Sequence, residues 1–183
     1  PNETIYRARL AQTEEALGNF YAIKANQLAL KNEVESQQEA LLAWQNAVQF
    51  LPNNAVLQGQ LALSLVKAND FVAAAQAFSE SVRLAPQNGQ LHFNYALFLS
   101  RYGDISAALN AYQLAINCSS EVSLPPILVS FANLLTENPE TRTPQIIQKA
   151  HALYEKALQI APDFVNAHAN RGLLFIDEDN RQE

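Results

Sequence analysis

The fold of this 183-residue chain is decided by two stretches of sequence, EALLAWQNAVQFLPNN at residues 39–54 and AAAQAFSESVRLAPQN at residues 73–88. They follow each other at a spacing of 34 residues, and each carries an alanine twelve residues and an aromatic residue eight residues before a proline. The residues concerned are Ala40, Trp44 and Pro52 in the first stretch and Ala74, Phe78 and Pro86 in the second. A fixed period of about 20 to 50 residues is typical of repeat proteins, in which each repeat is one supersecondary unit.

Two further copies of the pattern follow. One ends at Ser120, where the proline is lost, and the last ends at Pro162. Both keep the upstream residues, which are Ala108, Tyr112 and Ala115 in one copy and Ala150, Tyr154 and Ala157 in the other. Alanines seven residues apart with an aromatic residue between them lie on one stripe of a helix, where small side chains allow a neighbouring helix to approach closely. The proline ends the helix, because its ring and its effect on the preceding residue disfavour another turn.

A partner helix is predicted in front of each of these segments. Its close crossing point is indicated by a small residue in the pairs Leu61-Ala62, Tyr95-Ala96, Phe131-Ala132 and Arg171-Gly172. Turns are predicted at Asn69-Asp70 and at Gly103-Asp104, where Asn or Gly ends one helix and Asp caps the next. The sequence therefore predicts an all-α chain of antiparallel helix pairs.

Composition excludes several classes of function. The formal net charge of −6, without a cluster of basic residues, would repel a phosphate backbone, so no nucleic acid partner is expected. Apolar runs stay well short of the ~20 residues that cross a bilayer, so no membrane insertion is expected. The one cysteine, Cys118, cannot form an internal disulfide. The sequence therefore does not determine the cellular compartment, and the cytoplasm is the favoured expectation. Because the chain begins with Pro1 and contains no methionine, we expect it to be a piece of a longer protein.

The alanine, aromatic and proline pattern resembles the tetratricopeptide repeat from about Gln37 to Phe175. The resemblance implies a right-handed superhelical solenoid over residues 1–183, with the first helix of each pair lining a concave groove. RNA-reading helical repeats of about 35 residues are the nearest alternative, and the spacing of 34 residues and the acidic charge argue against them.

The expected organisation has three parts. Residues 1–36 form a long amino-terminal helical segment, an irregular first repeat whose register is open. Residues 37–164 form regular helix pairs with an insertion near 136–144, because Ser120 and Pro162 are 42 residues apart. Residues 165–183 form an unpaired terminal helix and an acidic tail. Its uncovered Leu173, Leu174 and Ile176 predict weak homo-association.

No catalytic constellation is visible in the sequence, and neither an enzymatic activity nor a cofactor or metal is expected. His92 and His168 occupy equivalent points on first helices and are interpreted as packing residues. His151 has no carboxylate or cysteine at metal-ligand spacing. Cys118 lies near the carboxyl end of a helix and is interpreted as a small filler residue.

The candidate site is the concave face, on which one position of each first helix carries a polar side chain. These side chains are Asn26, Gln60, Asn94, Ser130 and Asn170. Similar tetratricopeptide proteins, notably large sugar-transferring ones, grip the backbone of an extended peptide with such a ladder of amides. Alternatively, these amides bond between helices or face water. Apolar residues share the face, and only Lys67 and Arg101 could contribute to the Lys-rich clamp that related proteins use for acidic peptide termini. The predicted binding residues are Asn26, Gln60, Leu63, Lys67, Phe93, Asn94, Leu97, Arg101, Ser130, Asn133 and Asn170.

Three functional hypotheses follow. The first is a protein-interaction module or scaffold that holds a peptide segment or partner protein in this groove. The second is a substrate-recognition domain of a larger enzyme, for example a glycosyltransferase. The third is a structural element that assembles with copies of itself.

Overall fold

The computed structural model describes residues 2–31, 34–137 and 142–179. Their regular structure is helical throughout, without a strand in these ranges. The α-helices are α1 (Asn2–Ala29), α2 (Val34–Phe50), α3 (Ala55–Lys67), α4 (Phe71–Leu84), α5 (Gly89–Tyr102), α6 (Ile105–Asn117), α7 (Leu124–Thr136), α8 (Pro144–Ile160) and α9 (Val165–Asp179), with a short 3-10 turn at Glu121–Ser123.

The helices pack in sequential pairs, which confirms the predicted all-α architecture. α1 packs on α2, α3 on α4, α5 on α6, and α7 on α8, while α9 contacts both helices of the preceding pair. The chain divides after Pro86 into two compact units, α1–α4 and α5–α9. A single solenoid over the whole chain stays a prediction.

The predicted alanine and aromatic stripe forms the core of the pairs. The alanines at the crossing points of the first helices, Ala62, Ala96 and Ala132, have no exposed surface. The aromatic residues of the repeat pattern, Trp44, Phe78, Tyr112 and Tyr154, are all buried. Gly172, in contrast, does not lie at a close crossing, because a Cβ added there would meet no atom within 4 Å.

Short polar residues end and begin the helices where the sequence predicts turns. Asn69 adopts the left-handed conformation with φ 61°, and the Asp70 carboxylate accepts a hydrogen bond from the Ala73 N–H at 3.1 Å. Asp104 caps α6 in the same way by accepting from the Ser106 N–H at 2.8 Å. These caps satisfy backbone donors that lack an intrahelical partner.

The amino-terminal segment is one helix of 28 residues. Its second half packs on α2, where Gly18 lies so close to Leu51 that an added Cβ would fall 2.5 Å from the leucine side chain. Ala25 continues this contact and is fully buried in a cluster with Trp44.

The terminal helix differs from its prediction. Leu174 is buried in the core cluster of α7 and α8 instead of being uncovered, whereas Leu173 and Ile176 are exposed as expected. The acidic run is also not simply solvated. Asp177 pairs with Arg142, and Glu178 lies 2.7 Å from His151, so two acidic side chains help to hold α9 in place. The predicted insertion lies partly outside the described residues, which stop at 137 and resume at 142.

The three histidines have different environments. His92 is buried as a packing residue, as predicted. His168 is exposed instead, and its Nε2 lies 2.8 Å from the Pro162 carbonyl oxygen. His151 stacks on Phe175 with ring centroids 4.3 Å apart, a contact that sequence spacing could not reveal.

Candidate functional site

The main cavity of the second unit has a volume of about 600 Å³. Its lining comes from α5, α7 and α9, which are the first helices of successive pairs, and from the two buried tyrosines of α6 and α8. Four of the predicted binding residues meet there, namely Leu97, Ser130, Asn133 and Asn170. Its size is within the range of about 300–1,000 Å³ that is typical of ligand pockets.

A network of polar side chains connects three helices at this cavity. The Tyr154 hydroxyl donates to Asn133 Oδ1 at 2.7 Å, and the Asn170 amide donates to the same oxygen at 3.0 Å. Asn133 therefore joins α7 to both α8 and α9. The bonds between helices, which the sequence left open as an alternative role for these amides, are present. They also fix the orientation of the amides that a ligand would meet.

Two phenols supply neutral polar groups to the cavity. Burial raises the pKa of Tyr112, and hydrogen bonds with Ser100 and Ser130 partly oppose this effect. Burial also raises the pKa of Tyr154, opposed by a hydrogen bond with Thr136 and by the charge of Arg142. Both phenols therefore stay protonated at neutral pH and can donate hydrogen bonds.

Apolar surface lies beside these polar groups. Leu97 on α5 and Leu173 on α9 are 42% and 64% exposed, while Leu134 and Leu174, which also line the cavity, are buried. The cavity thus combines hydrogen-bonding groups with an apolar contact surface.

One ion pair borders the cavity. The Arg142 guanidinium donates from Nε to the Thr136 carbonyl oxygen at 2.5 Å and pairs through its other arm with Asp177. Sequence reasoning missed both residues, because it places Arg142 in the insertion near 136–144 and Asp177 in the terminal helix and acidic tail. It also missed Tyr112 and Tyr154 as site residues, although their place in the repeat pattern predicted their burial.

The remaining predicted residues lie elsewhere. Asn26, Gln60, Leu63 and Lys67 belong to the first unit, where Lys67 lines a smaller cavity of about 160 Å³ with Gln37 and Ser64. In the second unit, Phe93 is half-buried against Tyr112, with 6.2 Å between the ring centroids. The Asn94 amide oxygen accepts from Gln90 on its own helix at 2.9 Å, and Arg101 lies 6.0 Å from the Tyr102 ring centre.

Two further features are absent from the described ranges. No group of three or more His, Cys, Asp or Glu side chains there is placed to hold a metal ion. Of the helices described, none combines the length and the apolar character that a membrane span requires.

The arrangement of helix pairs defines the chain as a helical repeat protein, and its fold is that of the tetratricopeptide repeat. MamA from Desulfovibrio magneticus RS-1 matches with a TM-score of 0.72 and 14% identity, over 91% of this chain and 88% of that one. YrrB, a TPR protein with an unusual peptide-binding site, matches with a TM-score of 0.65 and 19% identity, over 88% and 77% of the two chains. An O-GlcNAc transferase from Thermobaculum terrenum matches with a TM-score of 0.67 and 14% identity, over 80% of this chain but 26% of its own. No protein-family model and no curated protein matches the sequence.

Proposed function

We propose that this chain is a protein-interaction module that binds a segment of a partner protein in the cavity of its second unit, without catalytic turnover. The observation that carries the proposal is the convergence of Leu97, Ser130 and Asn170 from three successive first helices on one cavity. The fold shared with YrrB, a TPR protein with an unusual peptide-binding site, supports the same class of ligand.

The chemistry of the cavity favours an extended segment that offers both main-chain groups and an apolar side chain. Amide and hydroxyl groups can each donate to a carbonyl or accept from an N–H, so they recognise backbone with little demand on sequence. A large apolar side chain buried against Leu97 and Leu173 would contribute roughly 1.5–3 kcal/mol. Three charged residues line the cavity, Glu137, Arg142 and Asp177, and the last two already pair with each other. Because this leaves a single net charge, binding should depend only slightly on salt.

A displayed peptide library provides the ligand for a direct test. Peptides are first selected on the full chain. Their affinities for the unchanged chain, for Leu97→Asp and for the matched control Leu114→Asp are then measured by fluorescence anisotropy. Both leucines are nearly half exposed and belong to the same helix pair, but only Leu97 lines the cavity. We expect Leu97→Asp to weaken binding at least about tenfold, because it places a charge in a desolvated contact, while Leu114→Asp leaves it unchanged.

A milder loss is expected for Asn170→Ala, on the order of 0.5–1.5 kcal/mol of binding free energy, which is the net contribution of one hydrogen bond. The opposite pattern, in which Leu114→Asp abolishes binding and Leu97→Asp does not, would move the site to the face formed by α6. Circular dichroism of each variant establishes that the fold is intact before affinities are compared.

A recognition domain of a larger enzyme is the second candidate. It is favoured by the match to an O-GlcNAc transferase, of which the similar region is 26% of the chain. The two candidates share the binding cavity and differ in whether a catalytic domain belongs to the same polypeptide. The sequence of the complete open reading frame decides between them, because a catalytic domain would be visible there by its own motifs.

A further inference from the structure

The first half of α1 is largely exposed, and its residues Ala11, Glu14 and Glu15 border a groove shared with the turn after α2. Every residue from 3 to 17 is exposed, and burial in this helix begins at Gly18, which contacts Leu51 just beyond α2. Isolated helices shorter than about 12–15 residues are marginal in water, and exposed apolar surface on such a helix marks a contact site.

Four residues of this segment, three of them with large side chains, follow a coiled-coil spacing. Tyr6, Leu10, Thr13 and Leu17 are separated by four, three and four residues, the spacing of the a and d positions of a heptad. The three large side chains are 69%, 47% and 43% exposed. The polar member can be buried at little cost, because the Thr13 hydroxyl already donates to the Leu10 carbonyl oxygen at 2.7 Å.

The strip is also accessible on the side of the helix where it lies. At about 100° per residue, it is roughly a quarter turn away from Gly18 and Ala25, the residues that face α2. A second helix could therefore lie along it without displacing α2.

Charge indicates what this second helix is. The first half of the segment carries Arg7 and Arg9 against Glu3, and the second half carries the two acidic residues Glu14 and Glu15. When two copies run antiparallel, Tyr6 meets Leu17 of the other copy and Leu10 meets Thr13. Arg7 and Glu14 both occupy the e position of the heptad, beside the strip. In the antiparallel pair, Arg7 of each copy therefore lies within one helical turn of Glu14 of the other copy.

We propose that α1 is a dimerisation helix, which pairs antiparallel with α1 of a second copy of this chain through Tyr6, Leu10, Thr13 and Leu17. In this arrangement the half of each segment that carries Arg7 and Arg9 lies beside the half of the other that carries Glu14 and Glu15. A parallel pair would instead bring like charges to the same level of the two helices. The ion pair that Arg7 now makes with Glu3, at 2.6 Å, joins two highly exposed groups and is weak enough to exchange.

Sedimentation equilibrium of the full chain at about 5 to 100 μM tests the pairing in the range where weak dimers form. We expect a dimer whose dissociation constant rises at least about tenfold in Leu10→Asp, because the charge enters the contact strip. Ile5→Asp is the matched control, since Ile5 is 54% exposed on another side of the same helix, and it should leave the dimer unchanged.

Charge reversal then tests the orientation. Arg7→Glu and Glu14→Arg should each weaken the homodimer, whereas an equimolar mixture of the two variants should form a heterodimer, and the double variant R7E/E14R should dimerise again. Rescue of Glu14→Arg by Arg9→Glu instead would indicate a parallel pair and overturn the proposal. A chain that stays monomeric at the highest concentration would also overturn the proposal. A dimer that survives Leu10→Asp but is lost in Ile176→Asp would overturn it too, because the contact would then lie on α9.

Discussion

Substitution of Gly172 by alanine should stabilise the second unit, contrary to what the repeat pattern suggests. The pattern places Gly172 at a close crossing, where a methyl group would clash, but in the structure an added Cβ meets no atom within 4 Å. Its backbone does not have a positive φ, so alanine is free of strain there. The remaining effect is helix propensity, which favours alanine over glycine by about 0.8–1.0 kcal/mol in a helix interior.

This gain should be visible in the unfolding of the whole second unit. α9 contributes Leu174 to the buried cluster and Asn170 to a hydrogen bond with α7, so its helix forms and melts with that unit. For a unit of roughly 100 residues, 1 kcal/mol corresponds to a shift of about 4–8 °C in the melting temperature. Urea denaturation followed by circular dichroism gives the free energy of unfolding directly.

Gly89→Ala is the matched control with the opposite sign. A Cβ on Gly89 would lie 2.9 Å from the Ala115 carbonyl oxygen and from the backbone of Cys118, and would also meet the Ser119 side chain. Backbone must therefore move, at a cost of about 1–3 kcal/mol. The reasoning is refuted if Gly172→Ala lowers the free energy of unfolding, because α9 would then cross its neighbour closely at that residue.

The other predictions concern the same unit. Ala132→Leu should lower the free energy of unfolding by about 1–3 kcal/mol, because Ala132 is completely buried at a helix crossing; an unchanged urea midpoint would contradict that placement. Tyr154→Phe should cost about 0.5–1.5 kcal/mol by removing the donor to Asn133, with a smaller loss showing that this bond is dispensable. Burial raises the pKa of Tyr112 and Tyr154 above 10.0, so the folded unit holds these phenolic protons more tightly than the unfolded chain. This stabilisation is complete below pH 10 and is lost as the pH rises through the raised pKa values of the two phenols. The free energy of unfolding from urea denaturation should therefore be lower at about pH 11 than at about pH 9, and the difference should be smaller in Tyr112→Phe.

The helix pairs and their core could be predicted from the sequence because they follow from local rules. Ala40 and Trp44 lie four residues apart and therefore on one face of a helix, and the helix covers this apolar face by burying both side chains. Pro52, which ends the helix, recurs as Pro86 after one repeat of 34 residues. Helix caps such as Asp70 act within three residues along the chain, so their function is also readable from sequence.

The candidate site could be predicted only in part. Ser130, Asn133 and Asn170 were found because equivalent positions of a repeat share a face, and the structure brings them together with Leu97. Arg142 and Asp177 were not found, since they are 35 residues apart and meet only because α9 folds back on the preceding pair. His151 and Glu178 were missed for the same reason, being 27 residues apart.

By itself, the sequence determined that this chain is helical, how long the repeat is, and which alanines and rings are buried, because these properties depend on periodicity and on neighbours along the helix. Only the tertiary structure decided that Gly172 faces open space, that Leu174 is covered, and that Tyr154 presents its hydroxyl to Asn133 beside a cavity. These features depend on where one helix lies against the next. That position is set by the packing of many side chains together, which no single stretch of sequence records.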